Sequence, residues 1–175
     1  MNKKLTYGIF VLLFLCYFMA YTGNLSHIIA YHEQHHLFLY TQAYFEQHLQ
    51  SEGFFSYLTD FIIQFFYYPE VGSALLALLL AAVYGMTHQI IRWVFGKEDW
   101  IQFSIIPSLL LFYHTMEASH TLVPVTSTVF SLAVITIILW GFRRYLPLIP
   151  VFKNVHIRSK KLRIGMLAVA LLTYA

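Results

Sequence analysis

Residues 71–95 read VGSALLALLLAAVYGMTHQIIRWVF, a run in which Arg92 is the only residue with a permanent charge. An α-helix rises about 1.5 Å per residue, so about 20 apolar residues cross a hydrocarbon core of about 30 Å. Pro69 stands just before this run, where a helix tolerates the missing N–H. The run therefore predicts a transmembrane helix.

The composition of the whole chain supports the same class. Of its 175 residues, 59% are hydrophobic, 11% are charged and 18% are aromatic. Soluble domains have about 45–50% apolar and about 25% charged residues. A soluble core of this size could not bury so much apolar surface, so we expect an all-α, polytopic membrane protein.

Three other apolar blocks are also predicted to cross the membrane, which gives four spans in all. They cover residues 5–22, 100–116 and 122–142. The block 100–116 is short and contains Pro107. If the fourth block crosses the membrane, this block must cross too, because Arg92 with Lys97 and Arg143 with Arg144 would otherwise lie on opposite sides. A signal peptide is the alternative for 5–22, although this block is long and ends in bulky residues. A fifth block, 164–175, is too short to span, which predicts the N-terminal part of a longer protein.

The basic residues give the orientation. No Lys or Arg occurs from Leu5 to Ile91, and those present lie before the first block, around the end of the second and after the fourth. Basic residues are retained on the cytoplasmic side. We therefore predict a membrane protein with a cytoplasmic N-terminus and with residues 23–69 outside, and the resemblance given below implies that the membrane is the bacterial inner membrane. The formal net charge of +3 is then explained by the basic residues that fix the membrane topology, and no nucleic-acid partner is expected.

The outward segment 23–69 has the periodicity of amphipathic helices over 37–50 and 54–68. The second of these is rich in aromatic residues, as are helices in the membrane interface. We predict that Asp60, Gln64, Tyr67 and Tyr68 meet lipid or a lipid-borne substrate. The alternative is that the aromatic residues pack against neighbouring spans.

The string His32-Glu33-Gln34-His35-His36 matches the H-E-x-x-H pattern of zinc enzymes. On a helix, His32 and His36 would lie one turn apart as metal ligands, with Glu33 as general base. Five of the chain's nine histidines fall between His27 and His48, however, which makes a chance match common. The alternative is a polar, solvated loop.

Glu33 has a second predicted role, which does not depend on the histidines. A carboxylate just outside the first span can bind a divalent cation or deprotonate an acceptor beside the bilayer. Glu117 and His120, between the third and fourth blocks, could form a proton relay or a second set of metal ligands, or could simply solvate a hairpin.

The stretch Glu33-Gln34 with Leu37-Phe38-Leu39, followed by DFIIQFFYYP at 60–69 and Gly72, resembles an uncharacterised family of bacterial polytopic membrane proteins. The resemblance covers residues 5–95. The order of elements is also similar to the N-terminal part of GT-C-type glycosyltransferases, which place a functional carboxylate after the first span. That resemblance implies Glu33 as the counterpart of their loop carboxylate, and a lipid-linked sugar as substrate.

Two functions from different classes follow. The first is a membrane glycosyltransferase that acts on lipid-linked sugars at the outer face. The second is a noncatalytic scaffold whose outward helices bind another envelope protein. A zinc-dependent enzyme that uses His32 and His36 is a third hypothesis.

Overall fold

The computed structural model describes residues 3–35, 38–95 and 101–145. Across these residues the backbone is helical and contains no strand, which confirms the all-α class. The helices are α1 (Lys3–Thr22), α2 (Ser26–His35), α3 (Gln42–Ser51), α4 (Phe54–Ile63), α5 (Pro69–Phe95), α6 (Ile101–His114) and α7 (Val123–Tyr145), with a 3₁₀ turn at Gln64–Tyr67. The predicted fifth block at 164–175 lies outside the described residues.

Helix α5 is the centre of the fold and packs against α1, α6 and α7. A contact of 3.4 Å between Thr6 Oγ1 and His88 Nε2 joins the start of α1 to the end of α5, so these helices are antiparallel. The Ser108 hydroxyl of α6 donates to the Leu80 carbonyl of α5 at 2.7 Å. This hydrogen bond satisfies the Ser108 hydroxyl, which is buried between the two helices.

The directions of the helices place their ends in two groups. Ile90 and Val94 near the end of α5 form a cluster with Leu139 near the end of α7, so these two helices run in parallel. The starts of α1 and α6 lie at this same end of the bundle. We call it the basic end, because it carries Lys4, Arg92, Arg143 and Arg144.

The opposite end is covered by α2, α3, α4 and the 3₁₀ turn, which we call the cap (residues 26–67). Ile28 and Ile29 of α2, with Ile63 and Phe66, are buried in one cluster with residues of α1 and α5. Gly72 allows this close packing, because a Cβ there would lie 2.9 Å from Phe66 Cδ1 and 3.0 Å from the Phe66 Cα. The cap is thus joined to the long helices by a shared core.

Within the described residues, three helices are long and apolar enough to cross a membrane: Lys4–Thr22, Pro69–Val94 and Val123–Arg144. Many of their apolar side chains are exposed, including Leu12, Met19 and Ile137. This is consistent with membrane insertion. Helix α6 is shorter, with 14 residues and Pro107 inside it, and the predicted number of spans stays a prediction.

The cap differs from the sequence-based expectation in two places. The helix expected over 37–50 begins at Gln42, since Thr41 caps it by accepting a hydrogen bond from the Tyr44 N–H at 3.2 Å. The helix expected over 54–68 ends at Ile63 and continues only as the 3₁₀ turn. Tyr68 is extended because it precedes Pro69, whose ring disfavours the α conformation of the residue before it.

Candidate functional site

A carboxylate, an imidazole and a phenol meet inside the cap. The Tyr44 hydroxyl donates to Asp60 Oδ2 at 3.1 Å, and His48 Nε2 lies 2.9 Å from the same oxygen. Asp60 is 6% exposed, while the His48 side chain keeps 14% of its surface accessible. We call these three residues the cap triad.

Local sequence explains why these groups meet. Tyr44 and His48 are four residues apart on α3 and so lie on one helix face. Gly53, with φ of 88°, forms the turn into α4, and a residue with a Cβ adopts that conformation at a cost. The turn folds α4 back on α3 and brings Asp60 to the shared face.

Helix α4 is held from its other side by α7. The hydroxyls of Thr59 and Thr126 are 2.6 Å apart and both residues are buried. Thr59 also donates to the Phe55 carbonyl at 2.7 Å. Since Thr59 is the neighbour of Asp60, the carboxylate is fixed relative to the long helices and not only to α3.

The electrostatics of the cap triad keep Tyr44 protonated. Burial, together with the nearby Asp60 carboxylate, raises the pKa of the Tyr44 phenol well above its usual value. The neutral phenol can therefore donate to Asp60 at every physiological pH. Because a carboxylate oxygen can only accept, His48 Nε2 is the donor in its contact with Asp60, and Nδ1 is the ring nitrogen left to take up a proton.

Aromatic rings surround this cluster. The ring centroid of Phe38 lies 5.1 Å from that of Tyr57, 5.5 Å from that of Phe61 and 5.6 Å from that of Tyr44. Asp60 itself is buried, and a hydrogen bond in such low-dielectric surroundings is stronger than one in water. Chemically, the arrangement is a carboxylate that orients an imidazole, which suits a general base at the edge of the cap.

The residues predicted from the sequence are spread over the cap. Asp60 belongs to the cap triad, and Gln64 Oε1 accepts a 2.6 Å hydrogen bond from the Tyr40 hydroxyl. Tyr67 and Tyr68 are 68% and 62% exposed where the cap meets α5. Of these four residues, only Asp60 belongs to the cap triad, while the side chains of the two tyrosines are exposed. Their predicted contacts with lipid or substrate stay predictions.

Glu33 and His32 lie on α2, outside the cap triad. Glu33 is half-buried, and His32 is 2% exposed, with its ring edge-on to Tyr31 at 5.7 Å. His36 lies outside the described residues, so the zinc pairing stays a prediction. Across 3–35, 38–95 and 101–145, no three His, Cys, Asp or Glu side chains are grouped as a metal site would require.

The hairpin between α6 and α7 holds a second polar group. The rings of His114 and His120 stack at 4.6 Å, and Glu117 lies 3.4 Å from His120 Nε2. The His120 ring is exposed and its Nδ1 lies 3.0 Å from the His114 carbonyl oxygen. These contacts close the hairpin.

Sequence reasoning did not single out Tyr44 or His48. The available signal was their spacing of four residues on an amphipathic helix, followed by a glycine turn and an acidic residue on the next helix. Because histidine is abundant in this segment, the spacing of Tyr44 and His48 was not distinctive in the sequence.

The comparisons with known proteins place the chain in a family. A family of unknown function, DUF6057, has a model that matches residues 2–173. This chain belongs to that family. No curated protein and no solved structure has significant similarity to this chain.

Proposed function

We propose that this DUF6057 protein is a multi-pass protein of the bacterial inner membrane that transfers sugar from a lipid-linked donor at the outer face. The observation that carries the proposal is the His48–Asp60 pair, a basic nitrogen oriented by a buried carboxylate at the capped end of an apolar bundle. The similarity in layout to GT-C-type glycosyltransferases agrees with it.

In this reaction His48 is the general base. The proton of an acceptor hydroxyl passes to Nδ1, and the freed oxygen attacks the anomeric carbon of the donor sugar. The bond from that carbon to the lipid phosphate breaks, and the lipid phosphate leaves with its electrons. Asp60 stabilises the imidazolium that forms, as a carboxylate does for a catalytic histidine.

Glu33 and the exposed tyrosines have supporting roles. Glu33 is the carboxylate that follows the first long helix, and it would hold a divalent cation against the donor phosphate. Tyr67 and Tyr68 lie where the cap joins α5 and would place the lipid part of the donor at the interface.

The test is complementation of a deletion strain with His48→Gln and Glu33→Gln variants. Loss of a general base typically lowers a rate by about 10²–10⁴-fold. We expect surface glycan to be lost and the lipid-linked donor to accumulate, as measured by mass spectrometry of the lipid fraction. His120→Gln, on the exposed hairpin, is the matched control and should complement fully. Normal glycans and donor levels in both variants, at equal protein abundance, would rule out the transferase.

The scaffold hypothesis is favoured by a different surface of the cap. Tyr40, Phe45 and Leu49 are apolar and exposed beside α3, and exposed apolar patches mark interaction sites. A photo-crosslinking residue at Leu49 that captures one envelope protein, in a strain where His48→Gln has no effect, would favour the scaffold. Absence of any protein crosslink at this position would count against it.

A further inference from the structure

A cavity opens at the basic end of the bundle, far from the cap. It has a volume of about 560 Å³ and is lined by Trp93 of α5 and by Trp140, Arg143 and Arg144 of α7. Cavities that hold small molecules usually measure about 300–1,000 Å³. The volume is therefore large enough for a lipid headgroup.

The described part of the lining is basic. Its two ionisable groups, Arg143 and Arg144, are both arginines, and guanidinium groups bind phosphate oxygens through paired N–H donors. The two tryptophans supply flat apolar walls with one N–H donor each. This combination recognises an anion that carries an apolar part, and a phosphate ester of a lipid has both.

Helix α7 also offers a path for an acyl chain. Val134, Ile137, Trp140 and Arg144 recur at intervals of three and four residues and therefore share one face. Val134, Ile137 and Trp140 are exposed large hydrophobic residues. A lipid with its phosphate at Arg144 could lay an acyl chain along this face toward the middle of the bundle.

We propose that this cavity, the Trp–Arg cavity, binds the phosphate of an anionic membrane phospholipid in the leaflet at the basic end. Basic pockets between membrane helices bind anionic headgroups in this manner. The site is distinct from the cap triad, because it lies at the opposite end of α5 and α7. It does not depend on the proposed transferase.

The tryptophans are the reporters of the test. In the full chain, Trp100→Phe leaves Trp93 and Trp140 as the fluorophores. The protein is reconstituted in nanodiscs of phosphatidylcholine containing either brominated phosphatidylglycerol or brominated phosphatidylcholine. Bromine quenches the fluorescence of a nearby tryptophan. The preference for the anionic lipid is therefore the ratio of the quenching by brominated phosphatidylglycerol to the quenching by brominated phosphatidylcholine. A hydrogen bond from an arginine to a bound phosphate strengthens binding by about tenfold or more, so the two arginines of the cavity together contribute about 100-fold.

Arg143→Gln with Arg144→Gln should remove most of this preference. The matched control is Lys4→Gln with Arg92→Gln, which removes the same charge from the same end. Arg92 donates to Gln89 at 2.7 Å and does not line the cavity. An equal loss in the control pair, or no anionic preference in the starting protein, would overturn the proposal. Complete reversal of the quenching by millimolar inorganic phosphate would assign the site to free phosphate and overturn the lipid assignment.

Discussion

Asp60 shows how a charge is kept inside the cap. The carboxylate is 6% exposed and receives the Tyr44 hydroxyl and His48 Nε2, both from α3. A buried carboxylate without partners costs several kcal/mol, so these two contacts make its burial possible. The same contacts join α3 to α4, which means that one residue contributes both to the stability of the cap and to the candidate site.

Asp60→Ala is expected to destabilise the cap. It removes the acceptor that the Tyr44 hydroxyl and His48 Nε2 share, and loss of such hydrogen bonds typically costs about 1–3 kcal/mol. Thermal unfolding of the purified protein in detergent measures the effect. Glu46→Ala is the control, since Glu46 is an exposed carboxylate of the cap, on α3, and its loss should change stability by less than about 0.5 kcal/mol. Equal melting curves for the two variants would contradict the role given to Asp60.

Tyr44 predicts a dependence on alkaline pH. The pKa of its phenol is raised in the folded protein, whereas in the unfolded chain it is near the usual value of about 10. The stabilisation is fully present below pH about 10 and declines above it, because only the unfolded chain can then ionise readily. The difference in melting temperature between the wild type and Tyr44→Phe should shrink from pH 8 to pH 11. A constant difference would show that the phenol does not titrate in this way.

At the scale of elements, α5 and α7 were predicted closely from their apolar length, while the cap was predicted less well. The length of an apolar run in the sequence indicates directly whether a helix is buried in lipid or in a protein core. The helical stretch formed by α4 and the 3₁₀ turn ends before Tyr68 because of the conformation that Pro69 imposes on that residue. Asp60, predicted to meet lipid or a lipid-borne substrate, is buried because α3 supplies hydrogen bonds to it, and its neighbour Thr59 contacts Thr126.

The packing of the cap on α5 depends on Gly72. A Cβ at this position meets the Phe66 backbone and Ile29 Cγ2, each at 3.0 Å. Gly72→Ala should therefore destabilise the protein by about 1–3 kcal/mol, the usual cost of overpacking. Gly141→Ala on α7 is the control, because a Cβ there meets nothing within 4 Å. The control should be neutral or more stable by up to about 1 kcal/mol, since alanine favours a helix. Similar unfolding curves for both variants would refute this packing.

At the scale of the whole molecule, the two ends of the bundle differ in charge and in structure. The basic end carries Lys4, Arg92, Arg143 and Arg144, and the other end carries the cap. The sequence indicated this difference in charge through the spacing of its Lys and Arg residues, and the side of the membrane on which each end lies stays a prediction. It could not predict the cap triad or the Trp–Arg cavity, since both are formed by side chains from two helices that meet only in the folded chain.

The central claim is that the cap and the basic end lie on opposite sides of a bilayer. Labelling of Gln47→Cys in a Cys16→Ser background tests it most directly, because Gln47 is an exposed residue of α3. In a Gram-negative host with a permeable outer membrane, a maleimide that cannot cross the inner membrane should label this position in intact cells. The Cys16→Ser protein alone should stay unlabelled. Labelling that appears only after the inner membrane is broken would place the cap in the cytoplasm and contradict the account.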